Sequence, residues 1–213
     1  MIDEKKWHNE KIAKITIEKL RKNNFKANYF FDRIEAVEYI KTLIHKGEEV
    51  GVGGSATLQE LGIVSIVKEE EGILLFHGFK NLTPEEKNAI RRKQLVSDIF
   101  FASANAITMN GEIVNVDGAG NRVAAMTFGP KKVVIVAGIN KIVPDIRSGF
   151  DRIRLYAAPK NNLRLGLKNP CVKTGICQDC SSKERICNTY SVIRKKALYS
   201  DIEIVLVGEE LGF

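Results

Sequence analysis

KKVVIVAG, residues 131–138, is the stretch whose reading decides the fold. Behind two lysines runs an unbroken apolar segment rich in β-branched valine and isoleucine, and nothing in it alternates with polar residues. A strand with that pattern is buried on both faces, as happens in a mostly parallel sheet covered by helices on each side. The rest of the chain can then be asked whether it supplies the matching strands and helices.

Upstream it does. Residues 3–22 carry Ile12, Ile15 and Leu20 among charges, which predicts a supporting helix with Trp7 packed on the body. NYFF at 28–31 reads as a strand. The helix after it has Asp32 as N-cap, Glu35 completing a capping box and Gly47 as its stop. EEVGVG at 48–53 runs as a strand into a glycine loop, and ATLQELGI follows as a helix. GILLFHG at 72–78 is a further strand, after which Thr83 caps, Pro84 opens and Glu85 and Glu86 fill the first turn of a helix towards Val96. DIFFASANAIT at 98–108 reads as one buried run, and Asn110 and Gly111 mark a tight hairpin into IVNVDG.

Downstream, residues 144–170 are amphipathic and helical until Pro159 breaks them, and IEIVLVG at 202–208 is a last strong strand. The expectation is one α/β domain over 1–213 with a mostly parallel sheet flanked by helices and one antiparallel hairpin. Residues 1–24 form its N-terminal supporting helix, and 144–200 a helical arm with a cysteine-containing excursion. Such sheets place their sites in loops at the carboxyl ends of the strands.

Composition bounds the function. The 213 residues are 44% apolar and 28% charged, enough for one sizeable core. The net charge of +7 comes from scattered basic residues interspersed with acids, with no aromatic-rich basic stripe, so nucleic acid is not favoured and small anionic ligands are. Charges interrupt the N-terminus where a secretory peptide needs an apolar core, and no run reaches the roughly 20 apolar residues of a membrane helix. A cytoplasmic location is therefore expected. In a reducing compartment, clustered cysteines point to metal or redox chemistry and away from disulfides.

Two loops carry candidate chemistry. In GVGGSATLQELG, residues 51–62, Gly53 and Gly54 let backbone approach a ligand, and Ser55 and Thr57 add hydroxyls. The loop has neither the Gly-Lys-Ser/Thr of a P-loop nor the third glycine of a dinucleotide fingerprint. Its readings are binding of a carboxylate or phosphate, or simply a tight strand-to-helix turn. In NVDGAGNRVAAMTFGP, residues 115–130, Gly118 gives a small loop, Asn121 is placed to cap a short helix and Arg122 can fork onto an anion. Asp117 is the candidate acid or base, with a turn-stabilising role as the alternative, and a salt bridge is the alternative for Arg122.

All four cysteines, Cys171, Cys177, Cys180 and Cys187, fall in CVKTGICQDCSSKERIC. Four thiolates within 17 residues can hold a 4Fe-4S iron–sulfur cluster or a tetrahedral zinc. The spacing matches neither the paired C-x2-C knuckles of zinc ribbons nor the C-x2-C-x2-C run of ferredoxins, so the metal stays open. Thiol redox chemistry at Cys177 and Cys180 stays open, as does the absence of any ligand. His8, His45 and His77 show no ligand spacing and read as structural or solvent-facing.

VGVGGSATLQELGI followed by SANAITMNGEIVNVDGAGNRVAAMTFGPKKVVIVAGINKIV closely resembles the lactate-utilisation, or LUD-domain, family from about residue 10 onward. The resemblance implies the fold shared by sugar-phosphate isomerases and coenzyme A transferases. It also implies a place in L-lactate oxidation to pyruvate, beside iron–sulfur or flavin-containing oxidoreductase subunits, and favours iron–sulfur over zinc. NAITMNGEIVN is similar, more distantly, to thiosugar-phosphate isomerases, but their acidic residue falls on Asn105, whose amide cannot act as a general base. A non-redox isomerase or transferase with structural zinc, and a non-catalytic module docking on an iron–sulfur partner, remain the alternatives. The cysteine cluster itself departs from the typical small family member.

Overall fold

Burial on the first helix begins only at its tenth residue, and that sets how the chain enters the core. The computed structural model describes residues 3–213, so Met1 and Ile2 of the expected 1–24 supporting helix lie outside the described residues. Helix α1 (Glu4–Lys22) starts where the Asp3 side chain accepts from the Lys6 N–H, and it buries Ala13, Thr16, Ile17 and Leu20. Trp7, expected to pack, is 54% exposed because its turn precedes the buried stretch. Strand β1 (Lys26–Phe30) leads to α2 (Arg33–Lys41). Asp32 caps α2 through the Ile34 and Glu35 N–H groups, while the Glu35 carboxylate accepts from Phe31 N–H. The return bond thus closes one residue early, and α2 ends well before Gly47.

β2 (Glu49–Val52) runs into α3 (Ala56–Glu60). Left-handed Gly62, at φ +68°, separates α3 from α4 (Ile63–Glu69). β3 (Ile73–Leu75) and α5 (Pro84–Gln94) follow, the latter with the full reciprocal box between Thr83 and Glu86. The 98–108 run divides into β4 (Ile99–Ala102) and β5 (Ala106–Thr108). The break is chemical: Asn105 N–H donates to Asn115 Oδ1 and Val116 N–H donates to Asn105 Oδ1, so side-chain amides take over from the ladder there. β5 turns back into β6 (Ile113–Asp117) through Gly111. At φ +77° and with space for a Cβ only 2.6 Å from Leu20 N, that position requires glycine.

After α6 (Asn121–Thr127) come β7 (Lys132–Gly138) and β8 (Ile142–Val143). The arm consists of α7 (Ile146–Arg152), one π-helical stretch at Ile153–Ala157, α8 (Ala158–Arg164) and α9 (Pro170–Thr174). Pro159 does not break this arm. It lies directly behind the π turn, whose altered hydrogen bonding accommodates the missing N–H. The excursion then leads to β9 (Thr189–Ile193), a strand the sequence reading missed, and to β10 (Asp201–Val207).

The main sheet has the order β1-β10-β7-β4-β2-β3, and every pairing in it is parallel. β7 is interior, as its composition predicts, and its side chains alternate between two cores. Val133, Ile135 and Ala137 join Phe100, Ile204 and Leu20 on one face, while Val134 and Val136 join Phe101, Ile40 and Leu58 on the other. Each fully buried valine or isoleucine contributes about 2 kcal/mol of apolar transfer. A second sheet, β8-β5-β6-β9, carries the antiparallel hairpin, and the arm packs on it through Ile153 and Ala158 against Val114 and Val116. No helix among the described residues is long and apolar enough to cross a membrane.

Candidate functional site

β2, β4 and β7 lie near one another in the sheet, and the loops at their carboxyl ends open into one cleft of about 460 Å³. Gly53, Gly54, Ser55 and Thr57 line it after β2, and Asp117, Gly118, Asn121 and Arg122 after β6. The two loops singled out in the sequence therefore meet. Lys87, Arg91 and Arg164 add cationic side chains around the opening.

Several of these residues do something other than expected. Gly53 N–H donates to Phe101 O at 2.9 Å, and a Cβ there would stand 3.3 Å from that oxygen, so the loop hugs the end of β4. Ser55 occupies the N-cap position of α3 without a capping bond from its side chain. Thr57 is fully buried, and its hydroxyl donates to Leu211 O at 3.3 Å. Asn121 is the first residue of α6 and not its cap, which is left-handed Gly120. The capping work falls to Asp117, whose Oδ1 accepts from Ala119 N–H at 3.1 Å and Gly120 N–H at 2.8 Å.

Arg122 is engaged within the protein. Its Nε donates to Asp117 Oδ2 at 3.1 Å, Nη1 to Ser103 O and Asn115 Oδ1, and Nη2 to Asn105 Oδ1 and Val116 O. Those five bonds match the five N–H donors of a guanidinium, so the fork anticipated for an anion holds β4, β5 and β6 together instead. Burial pushes the Arg122 pKa down and Asp117 opposes that shift, giving a buried ion pair. Asn105, where an isomerase would carry its acid, is an amide that bridges Arg122 and Val116 N–H.

Several lining residues were not singled out by the sequence, His77 and Lys141 among them. His77 borders Gly54, has a buried Nδ1 without a hydrogen-bond partner, and is held below its usual pKa by burial and by Arg91. Lys141, just beyond β7, is only 3% exposed, and its Nζ donates to Thr57 Oγ1 at 2.7 Å and to Ser103 Oγ at 2.8 Å. Burial, with Arg152 and Arg122 nearby, lowers its pKa to about 7. The one available signal was its position directly beyond the carboxyl end of the most apolar strand.

The model of the LUD domain matches residues 13–207. The chain belongs to the LUD-domain family. Among solved structures, this LUD-domain protein is similar to a DUF162 family protein from Deinococcus radiodurans, with TM-score 0.54 and 10% identity over 94% of this chain and 98% of that one. That likeness concerns the fold. It also matches eIF2B beta from Chaetomium thermophilum, at TM-score 0.40 and 16% identity over 55% of this chain and 44% of that one. A search of curated proteins finds no match.

In this LUD-domain protein the excursion is tied to the cleft. Asn188 N–H donates to Asp117 O, and its amide donates to Gly118 O, both at 2.9 Å. A Cβ on Gly118 would lie 3.0 Å from Ile186 Cα, so this glycine serves the close approach of the excursion. Cys187 lines the cleft, whereas Cys171, Cys177 and Cys180 do not. Arg185 gathers the loop by donating to Cys187 O at 2.9 Å, to Asp179 at 2.8 Å and to Cys180 O.

All four thiols are free. Burial raises the Cys187 pKa to about 11, with contributions from Cys177, Cys171 and Cys180, and raises Cys171 with help from Cys180 and Cys177. The other cysteines thus stand near enough to add to the burial that disfavours ionisation of Cys171 and Cys187. Among the described residues no three acidic, histidine or cysteine side chains stand arranged around a metal position. Four thiols on one excursion are the donor type of a thiolate-bound metal, and Cys171, Cys177, Cys180 and Cys187 would be its ligands. Residues 177–188 contain no helix or strand.

Proposed function

We propose that this protein binds a small anionic organic molecule, a carboxylate or phosphate, in the cleft and holds an iron–sulfur cluster at the cleft wall. Its role on this reading is a redox step such as L-lactate oxidation to pyruvate. The observation that carries it is that Cys187 borders the same cleft as Lys87, Arg91, Arg164 and Lys141.

Cys171, Cys177, Cys180 and Cys187 would hold the cluster, which supplies one-electron transfer when bound. The cationic side chains neutralise the ligand's charge, and Arg164 is braced for this by donating to Gly54 O at 3.0 Å. Removing two electrons from a hydroxy acid exceeds the usual capacity of one such cluster. A flavin- or iron–sulfur-containing oxidoreductase subunit is therefore the implied partner. Asp117, with both oxygens engaged, is assigned to shaping the loop and not to proton transfer.

Titrating the anaerobically reconstituted protein with small carboxylates and phosphates, followed by absorption and electron paramagnetic resonance, tests the juxtaposition. A ligand-dependent change in the metal spectrum is expected. Saturable ligand binding with no spectral change would contradict a cluster at the cleft wall.

A further inference from the structure

Lys141 is an amine where charge is hard to keep, and among the described residues no ion pair neutralises it. Its two hydrogen bonds go to the hydroxyls of Thr57 and Ser103, and among the described residues no carboxylate lies within ion-pair distance. The charged groups facing it are Arg152 from α7, Arg122 from α6 and Glu60 from α3. Burial is the largest influence, the two guanidiniums add to it, and Glu60 opposes them, so the amine is half neutral near pH 7. A lysine retained only for structure usually meets a carboxylate or extends its ammonium to water. This one does neither and lines a cleft. A desolvated lysine beside other cations is the setting in which the amine becomes a nucleophile towards carbonyl carbon.

We propose that Lys141 captures the carbonyl group of a small anionic aldehyde or 2-oxo carboxylate as an imine. The Nζ lone pair attacks the carbonyl carbon, and the carbonyl π pair moves to oxygen. A proton passes from nitrogen to that oxygen, giving the carbinolamine. The oxygen then takes a second proton and leaves as water while the carbon–nitrogen double bond forms. Hydrolysis reverses each step, and no oxidant or reductant is consumed. Ser103 Oγ, 3.4 Å from Thr57 Oγ1 and bonded to the amine, gives these protons a path at the reacting nitrogen. Lys87, Arg91 and Arg164 hold the carboxylate or phosphate of the same molecule. The inference rests on the anion cleft proposed above and names its ligand class, but it is independent of the cysteine cofactor.

The test uses the full chain with glyoxylate and cyanoborohydride from pH 6 to 9, followed by peptide mass spectrometry. A carboxymethyl group on Lys141 is expected to form at least about tenfold faster than on the other lysines at pH 7, since an ammonium group is not a nucleophile and a free lysine side chain is almost fully protonated there. Its rate should rise with a midpoint near pH 7. Ser103→Ala and Thr57→Val should slow capture and shift that midpoint in protein that still melts cooperatively, and Lys141→Arg should remove the adduct. Even labelling across lysines, or capture at Lys141 only near pH 10, would overturn the proposal. Acetate or phosphate should slow the selective capture. Selective capture indifferent to either anion supports the imine and contradicts the anion cleft.

Discussion

Lys141 Nζ lies 2.8 Å from Ser103 Oγ, although the two residues stand 38 positions apart in the chain. The parallel pairing of β4 with β7 brings them together, because both residues follow the carboxyl ends of those strands. The contact has a thermodynamic consequence. The folded-state pKa of about 7 lies below the unshifted 10.5, so between those values the unfolded chain holds a proton that the folded one lacks. Stability therefore falls as pH drops from about 10 to 7 and levels off below. Lys141→Met should remove this contribution and raise stability by about 2–4 kcal/mol at pH 6.5 relative to its effect at pH 10. Urea unfolding of both proteins at the two pH values checks this, and parallel pH dependences would count against it.

Arg122→Ala should destabilise the protein by about 3–5 kcal/mol, because it strands the buried Asp117 charge and leaves the Asn105 and Asn115 amide oxygens with only their backbone N–H donors. Arg122→Lys should recover only a fraction, since an ammonium cannot reproduce five planar donors. Denaturant midpoints measure both. A loss under about 1 kcal/mol for the alanine variant would show that the guanidinium is not the brace described.

Gly54 has only His77 Nε2 near its missing Cβ, at 3.7 Å. Gly54→Val should keep the melting transition while reducing affinity for small carboxylates or phosphates by at least about tenfold, because the added side chain occupies the cleft. Unchanged affinity by calorimetry would refute the role of this loop in anion binding.

Gly118→Val should act at a distance from its own loop. Its Cβ would press on Ile186 at 3.0–3.4 Å, and the backbone there leads directly to Cys187. The variant should stay folded with reduced metal content per chain, read by elemental analysis after anaerobic reconstitution. Full metal content would separate the excursion's docking from its ability to close.

The sheet was legible because its signals are local. Val133 to Val136 need no partner to declare a strand covered on both faces, and Thr83 with Glu86 spells its own helix start. The two loops were legible as loops, yet the tasks of their residues were not. That Arg122 would be spent on Asn105, Asn115 and Ser103 depends on how the second sheet meets the first, which no spacing encodes. Lys141 looks like any solvated lysine until Thr57 and Ser103 are folded over it. Pro159 reads as a break because a π turn is invisible in an apolar pattern, and β9 was missed because its five residues form an incompletely buried edge.

The central claim is that the four cysteines hold an iron–sulfur cluster beside the anion cleft. Iron, zinc and acid-labile sulfide measured on the anaerobically purified chain test it most directly. About four iron and four sulfide per chain are predicted, falling sharply in Cys187→Ser. Stoichiometric zinc without iron or sulfide would contradict the account.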